Sequence, residues 1–119
     1  MQKPRTSASK PVATLDEAAV VRSLAALAQS TRLQAFRALV VAGPEGMTPG
    51  DLAYHLDVAA ATLSFHLKEL MIAGLVSQER DGRNLIYRVE FDRMLGLMSF
   101  LTAHCCQGKG CTPSERSKC

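Results

Sequence analysis

The chain has 119 residues, 47% of them hydrophobic, with a formal net charge of +3 and a pI of 8.8. That length suits one domain with one core, and no apolar run is long enough to span a membrane. The mild basicity is compatible with a nucleic-acid partner but does not by itself imply one.

The opening stretch MQKPRTSASKPVAT is basic and rich in Ser, Thr and Pro, with no apolar segment of a secretory signal after it. Residues 1–13 are expected to form a disordered basic arm, 14–104 the folded domain and 105–119 a cysteine-bearing tail. The protein is expected to be cytoplasmic. A cytosol keeps thiols reduced, so the four cysteines read as metal ligands or redox groups before disulfide staples.

The first periodic segment is TLDEAAVVRSLAALA, Thr14 to Ala28, with Thr14 as its cap, acidic Asp16 and Glu17 in its first turn, and Val20, Leu24 and Leu27 on one face. Ser30 is the expected cap of TRLQAFRALVVAG, which buries Leu33, Phe36, Leu39 and Val40 and ends at Gly43-Pro44. In MTPGDLAYHL, Thr48 caps, Pro49 takes the first helical position, and Leu52, Ala53 and Leu56 face inward. Asp57-Val58 makes a short turn before AAATLSFHLKELMIAGL, whose stripe is Leu63, Leu67, Leu70 and Met71 and whose end is Gly74. Two short helices with a tight turn between them make a helix-turn-helix candidate.

The period then changes to alternation. LVSQER and NLIYRVE read as strands joined at DGRN, a hairpin tip. FDRMLGLMSFLTAH, Phe91 to His104, is a last helix too apolar to stand alone on a surface. The order helix, helix, helix-turn-helix, β-hairpin, helix predicts a mainly α (α+β) winged helix-turn-helix. The first and last helices keep apolar surface to share, which predicts a homodimer through them.

An α-helix fits the DNA major groove, and residues near its N-terminus meet base edges. Thr62, Ser64, His66 and Lys68 on the second helix of the motif are the candidate contacts, with Ala60 and Ala61 able to meet thymine methyls. The competing reading is an amphipathic helix with a solvated polar face. Arg80 and Arg83 in the hairpin, with Arg88 beside it, would let the wing clamp phosphates or enter a minor groove, although Glu79 and Asp81 offset part of the charge. His55 has no partner spacing around it and reads as a capping or surface group.

Cys105, Cys106 and Cys111 cluster in HCCQGKGC, just past the last helix, with Gly108 and Gly110 free to fold the chain back. The spacing is not the Cys-x-x-Cys of thiol exchange, nor that of a paired zinc finger. Three soft thiolates suit a three-coordinate thiophilic ion such as trivalent arsenic or antimony. A disordered thiol-rich tail is the competing reading. His104 or Cys119 could add a fourth donor for zinc.

LAALAQSTRLQAFRALV, GDLAYHLDVAAATLSFHLKELMIAGLV and RDGRNLIYRVE together resemble the ArsR/SmtB family of metalloregulatory repressors, from about Leu24 to Cys111. The resemblance implies a homodimeric winged helix-turn-helix repressor that leaves operator DNA when its inducer binds. GDLAYHL lacks the Cys-x-Cys pair of the best-known arsenic repressors, whereas AHCCQGKGC is similar to a second arsenic-responsive type with a C-terminal triad. The resemblance therefore assigns the metalloid to Cys105, Cys106 and Cys111. Ala59, Ala60 and Ala61 stand where the family often has Ser and Gln-Pro, so the cap of the reading helix is weakened. Family zinc sensors use Asp and His ligands across the last helices, for which Asp92 and His104 are the only partial match.

The expected function is a repressor that needs no cofactor to bind DNA and is induced by As(III) or Sb(III). The alternatives are a zinc-, cadmium- or redox-responsive repressor of the same fold, and a metal-storage protein that never touches DNA. No catalytic constellation is placed by any element, so an enzyme is not expected.

Overall fold

Local chemistry at the helix ends sets where each element begins and stops. The computed structural model describes residues 14–108, and the arm and most of the tail predicted above lie outside them. Helix α1 (Glu17–Leu27) starts at Asp16, not Thr14: the Asp16 carboxylate accepts from the Ala19 amide at 2.8 Å. Leu15, just before this cap, and Val20, in the second turn, are both buried and pack in one cluster. That apolar clasp across the helix start is available only if Asp16 is the cap, which is why the acidic residue wins. Helix α2 (Ser30–Ala42) is likewise capped one residue earlier than expected, by the Gln29 side chain accepting from the Arg32 amide. At α3 (Pro49–Leu56) the expected cap holds, with Thr48 accepting from Asp51.

Helix α3 ends in the tight turn of the helix-turn-helix. Asp57 takes a left-handed φ of 58°, and Val58 and Asp57 donate back to the Ala53 and Tyr54 carbonyls. Helix α4 (Ala60–Ile72) closes the same way: Leu75 donates to Leu70, Gly74 donates to Met71, and Gly74 sits at φ 82°. This is the Schellman arrangement, with Leu75 and Leu70 making its apolar contact.

Strands β1 (Val76–Asp81) and β2 (Asn84–Val89) pair antiparallel from Val76 opposite Val89 to Asp81 opposite Asn84, leaving Gly82-Arg83 as the loop. Gly82 has φ 69°, the positive value that a two-residue hairpin loop requires. A third backbone partner carried no periodic signal in the sequence. Met47 and Tyr87 exchange both N–H···O bonds, at 3.0 and 2.8 Å, so the residue before the α3 cap is stitched to the wing. Helix α5 (Phe91–Thr102) follows, then a 3-10 turn over Cys105–Gly108.

The main core gathers Phe36 and Leu39 of α2, Leu52 of α3, Leu63, Leu67 and Leu70 of α4, and Leu75, Val76, Tyr87 and Val89 of the hairpin. A second, smaller cluster joins Leu15, Val20 and Leu97, binding α1 to α5. Two predicted stripes were too wide. Leu24 and Leu33 are over two-fifths exposed, and the second buried position of α1 is Ser23, whose hydroxyl donates to the Ala19 carbonyl. The predicted helical order and hairpin are otherwise in place, and the architecture is a winged helix-turn-helix.

Replacing Gly74 with Ala forces a side chain into the left-handed region, where its Cβ would also meet the Arg93 guanidinium. Gly74→Ala is expected to destabilise the fold by about 1–2 kcal/mol, read as a lower urea midpoint with an unchanged m-value.

Candidate functional site

The buried leucine stripe of α4 decides which side chains point outward. With Leu63, Leu67 and Leu70 fully buried, Thr62, Ser64, Phe65 and Lys68 are exposed. Ala59 makes no side-chain bond to the helix start, so the first amides of α4 stay uncapped beside exposed Ala60 and Ala61. Three of the four predicted contacts on this helix therefore stand free of the fold. The fourth, His66, does not. It is half-buried, its Nδ1 lies 3.3 Å from Nη1 of Arg32, and the Phe65 ring meets it edge-on at 5.4 Å.

On the wing, Arg80 and Arg83 are exposed and have no partner among the described residues. Arg88, counted with them in the sequence, is committed elsewhere: it pairs with the Glu79 carboxylate and donates through Nε to the Pro44 carbonyl at 2.7 Å. The wing thus offers two free guanidinium groups, and its Glu79 charge is already answered. His55 is exposed and borders an open apolar cleft of about 600 Å³ with Leu33, Arg37, Val41, Met47 and Leu56.

At the far end of α5, Cys105 is exposed and Cys106 half-buried, with their sulfurs 3.8 Å apart. Two thiolates bound to one ion at about 2.3 Å would sit roughly 3.3–3.8 Å apart for angles between a right angle and the tetrahedral one. The observed separation lies at the tetrahedral end of that range. His104 and Cys106 both take positive φ, 60° and 53°, so the chain folds back immediately after the helix. Desolvation, with the hydrogen bond and charge of Cys105 added, pushes the Cys106 thiol above its ordinary range. The predicted third donor, Cys111, and Cys119 lie outside the described residues, among which no three His, Cys, Asp or Glu side chains gather as a metal set. Asp92 lies in the first turn of α5 and His104 two residues past its end, with roughly 15 Å of helix between them, so one chain cannot bring both to one ion.

The sequence reading missed Arg32. Nothing in the period of α2 distinguishes it from other half-exposed arginines, and only the folded contact with His66 singles it out.

Residues 27–79 match a family model described as a helix-turn-helix domain. No curated protein matches the chain. Among solved structures, an ArsR-like transcriptional regulator from Rhodococcus sp. RHA1 is 27% identical, covers 71% of this chain and 76% of its own, and has a TM-score of 0.63. A possible transcriptional regulator for arsenical resistance is 29% identical over 67% of this chain and 80% of its own, at TM-score 0.59. A homodimeric winged helix-turn-helix DNA-binding domain from Mycobacterium bovis, 24% identical over 87% of this chain and 89% of its own at TM-score 0.59, shares the fold. Among the described residues no helix is long and apolar enough to cross a membrane.

Because α4 lacks a side-chain cap, Ala59→Ser is expected to stabilise the fold by about 0.5–1 kcal/mol, measured by chemical denaturation. Because its thiol is pushed up, Cys106 is expected to lag behind Cys105 in timed iodoacetamide labelling at neutral pH. The lag should close as pH rises and the Cys106 thiolate fraction grows. Peptide mass spectrometry reads both rates.

Proposed function

We infer that this chain, supported as a DNA-binding transcriptional regulator of the ArsR type by its matched domain and the regulators it resembles, is a homodimeric repressor released from its operator by a trivalent metalloid. The observation that carries this reading is the Cys105–Cys106 sulfur pair, 3.8 Å apart, at the end of α5. That helix exposes Leu95, Met98, Phe100 and Leu101, and α1 exposes Val21 and Leu24. A second copy of the chain is the partner that would cover those apolar side chains, and the M. bovis domain of the same fold is itself homodimeric.

In the dimer, two copies of α4 read successive major grooves, about 34–36 Å apart, through Thr62, Ser64, His66 and Lys68. Arg80 and Arg83 of the wings hold the flanking backbone. DNA binding itself needs no cofactor. Arsenous acid then condenses with the thiols of Cys105, Cys106 and Cys111. Each sulfur displaces one hydroxide, the thiol proton leaves with it as water, and arsenic stays trivalent. Closure of the three thiols around the ion draws the tail against α5 and biases the α1–α5 interface toward a spacing that fits DNA poorly. Antimony(III), with the same charge and softness, would act alike.

A redox variant of this reading would have two of the thiols form a disulfide. The two readings differ in what releases the protein: a metalloid without oxidation, or an oxidant without metalloid.

Coupling between the two sites is reciprocal and typically amounts to about 1–3 kcal/mol, or roughly 5- to 150-fold in DNA affinity. Arsenite is therefore expected to weaken binding to a duplex from upstream of the protein's own gene by that range, measured by fluorescence anisotropy. Cys106→Ser should keep the unliganded affinity and lose the response. Equal affinity with and without arsenite would overturn the sensor reading. Release of the reduced protein by peroxide alone would replace it with the redox one.

A further inference from the structure

We propose that Arg32 is a positioning residue that holds His66 as a neutral ring protonated on Nε2, and so fixes the donor that α4 presents to a DNA phosphate. The inference rests on the DNA-binding reading above and adds a residue and a protonation form to it.

Arg32 is held from both ends before it reaches His66. Its backbone amide donates to the Gln29 side chain at 2.9 Å, and its Nε donates to the Ala26 carbonyl at 2.7 Å. Ala26 lies in the last turn of α1, where carbonyls have run out of helical donors, so the guanidinium fills a vacancy that the helix end creates. With Nε fixed, the planar guanidinium has little freedom left, and Nη1 falls 3.3 Å from Nδ1 of His66, 34 residues away in sequence.

The chemistry of the pair then dictates the tautomer. A guanidinium donates only and does not give up its proton, so Nδ1 must supply the lone pair. A neutral imidazole that accepts at Nδ1 carries its proton on Nε2, at the other side of the ring. His66 lies four residues after exposed Thr62, one turn along the same face of α4. Its Nε2–H therefore joins the row begun by the Thr62 hydroxyl, as a donor suited to a phosphate oxygen. The same guanidinium touches the end of α1, which makes Arg32 a direct polar tie between the proposed dimer helix and the reading helix.

The test uses the full chain labelled with ¹⁵N-histidine, and a mixed-sequence duplex at low salt as the probe. Long-range ¹H–¹⁵N correlation should show His66 of the wild type as the Nε2–H tautomer. Arg32→Lys, whose single ammonium cannot serve Ala26 and His66 together, should shift that ring toward a tautomer mixture. Arg32→Lys and His66→Gln should each weaken duplex binding about fivefold. Together they should weaken it no more than the worse of the two, since they remove one device. A purely structural role for Arg32 would lower thermal stability without moving the tautomer. An Nδ1–H ring in the wild type, an unmoved tautomer in Arg32→Lys, or losses that multiply in the double variant would each overturn the inference while the DNA-binding reading stands. A wild-type chain that does not bind the duplex would take both away.

Discussion

The packing of one helix face governs everything this molecule can present to a partner. Leu63, Leu67 and Leu70 of α4 are essentially inaccessible, wedged against Phe36 and Leu39 of α2 and Leu52 of α3. Leucines at such sites each contribute several kcal/mol, typically about 2–5 when truncated to alanine. Rotating α4 by even one position would cost most of that sum, so its outward residues are fixed as firmly as its inward ones. Thr62, Ser64 and Lys68 are presented because the leucines between them are not free to move. The Schellman closure at Gly74 then hands the chain from this helix directly into β1, and the Met47–Tyr87 bridge returns the wing to the start of α3. Reader and wing are parts of one rigid core.

The thiol pair belongs to the other end of the structure. It follows α5, whose first turn packs Phe91 and Met94 against the main core, while further along Leu97 joins the small cluster with Leu15 and Val20. A cluster of this size holds α1 and α5 together more loosely than the main core holds the reader. On the proposed function, an event at Cys105 and Cys106 would act on the far half of α5, beyond the Phe91 and Met94 contacts with the main core, before it reached α4. On the proposed function this division is useful: the reader stays intact, and what changes is where a second copy places its own reader. Such bistability resides at interfaces, which are less costly to rearrange than packed interiors.

The elements themselves were legible because each carries a strong period or a strong stop. Leucines every three or four residues, Thr48-Pro49, Gly74 and the Asp81-Gly82 tip need no tertiary context to be read. What escaped the sequence depended on that context. Thr14 and Asp16 are both good caps, and the choice falls to Asp16 because Leu15 then meets Val20. Leu24 and Leu33 have the right spacing for burial yet point away from the core, on faces where the single chain has nothing to cover them. Arg88 looked like a wing charge until the strand register placed it diagonally across from Glu79. Of the thiol site, the adjacency of Cys105 and Cys106 was readable and their 3.8 Å separation was not.

On the proposed function, the electrostatics of the reader explain why a modest rearrangement would suffice to release DNA. Once Arg88 is bound to Glu79, the exposed charges left on α4 and the wing, among the described residues, are Lys68, Arg80 and Arg83, opposed by Asp81. A net of about two positive charges neutralises few phosphates, and non-specific affinity scales steeply with that number. A single reader of this kind grips weakly. Two joined readers gain the effective concentration of a linked pair, often worth about 10²–10⁴-fold, but only while both reach their grooves together. When each half-site is weak, nearly all the affinity resides in their simultaneous engagement, and the spacing between them becomes the quantity on which binding depends most. A strongly basic reader would cling to DNA through either half alone and would be a poor switch. On the proposed function, the sparse charge of this helix and wing is what would make control from the thiols physically effective.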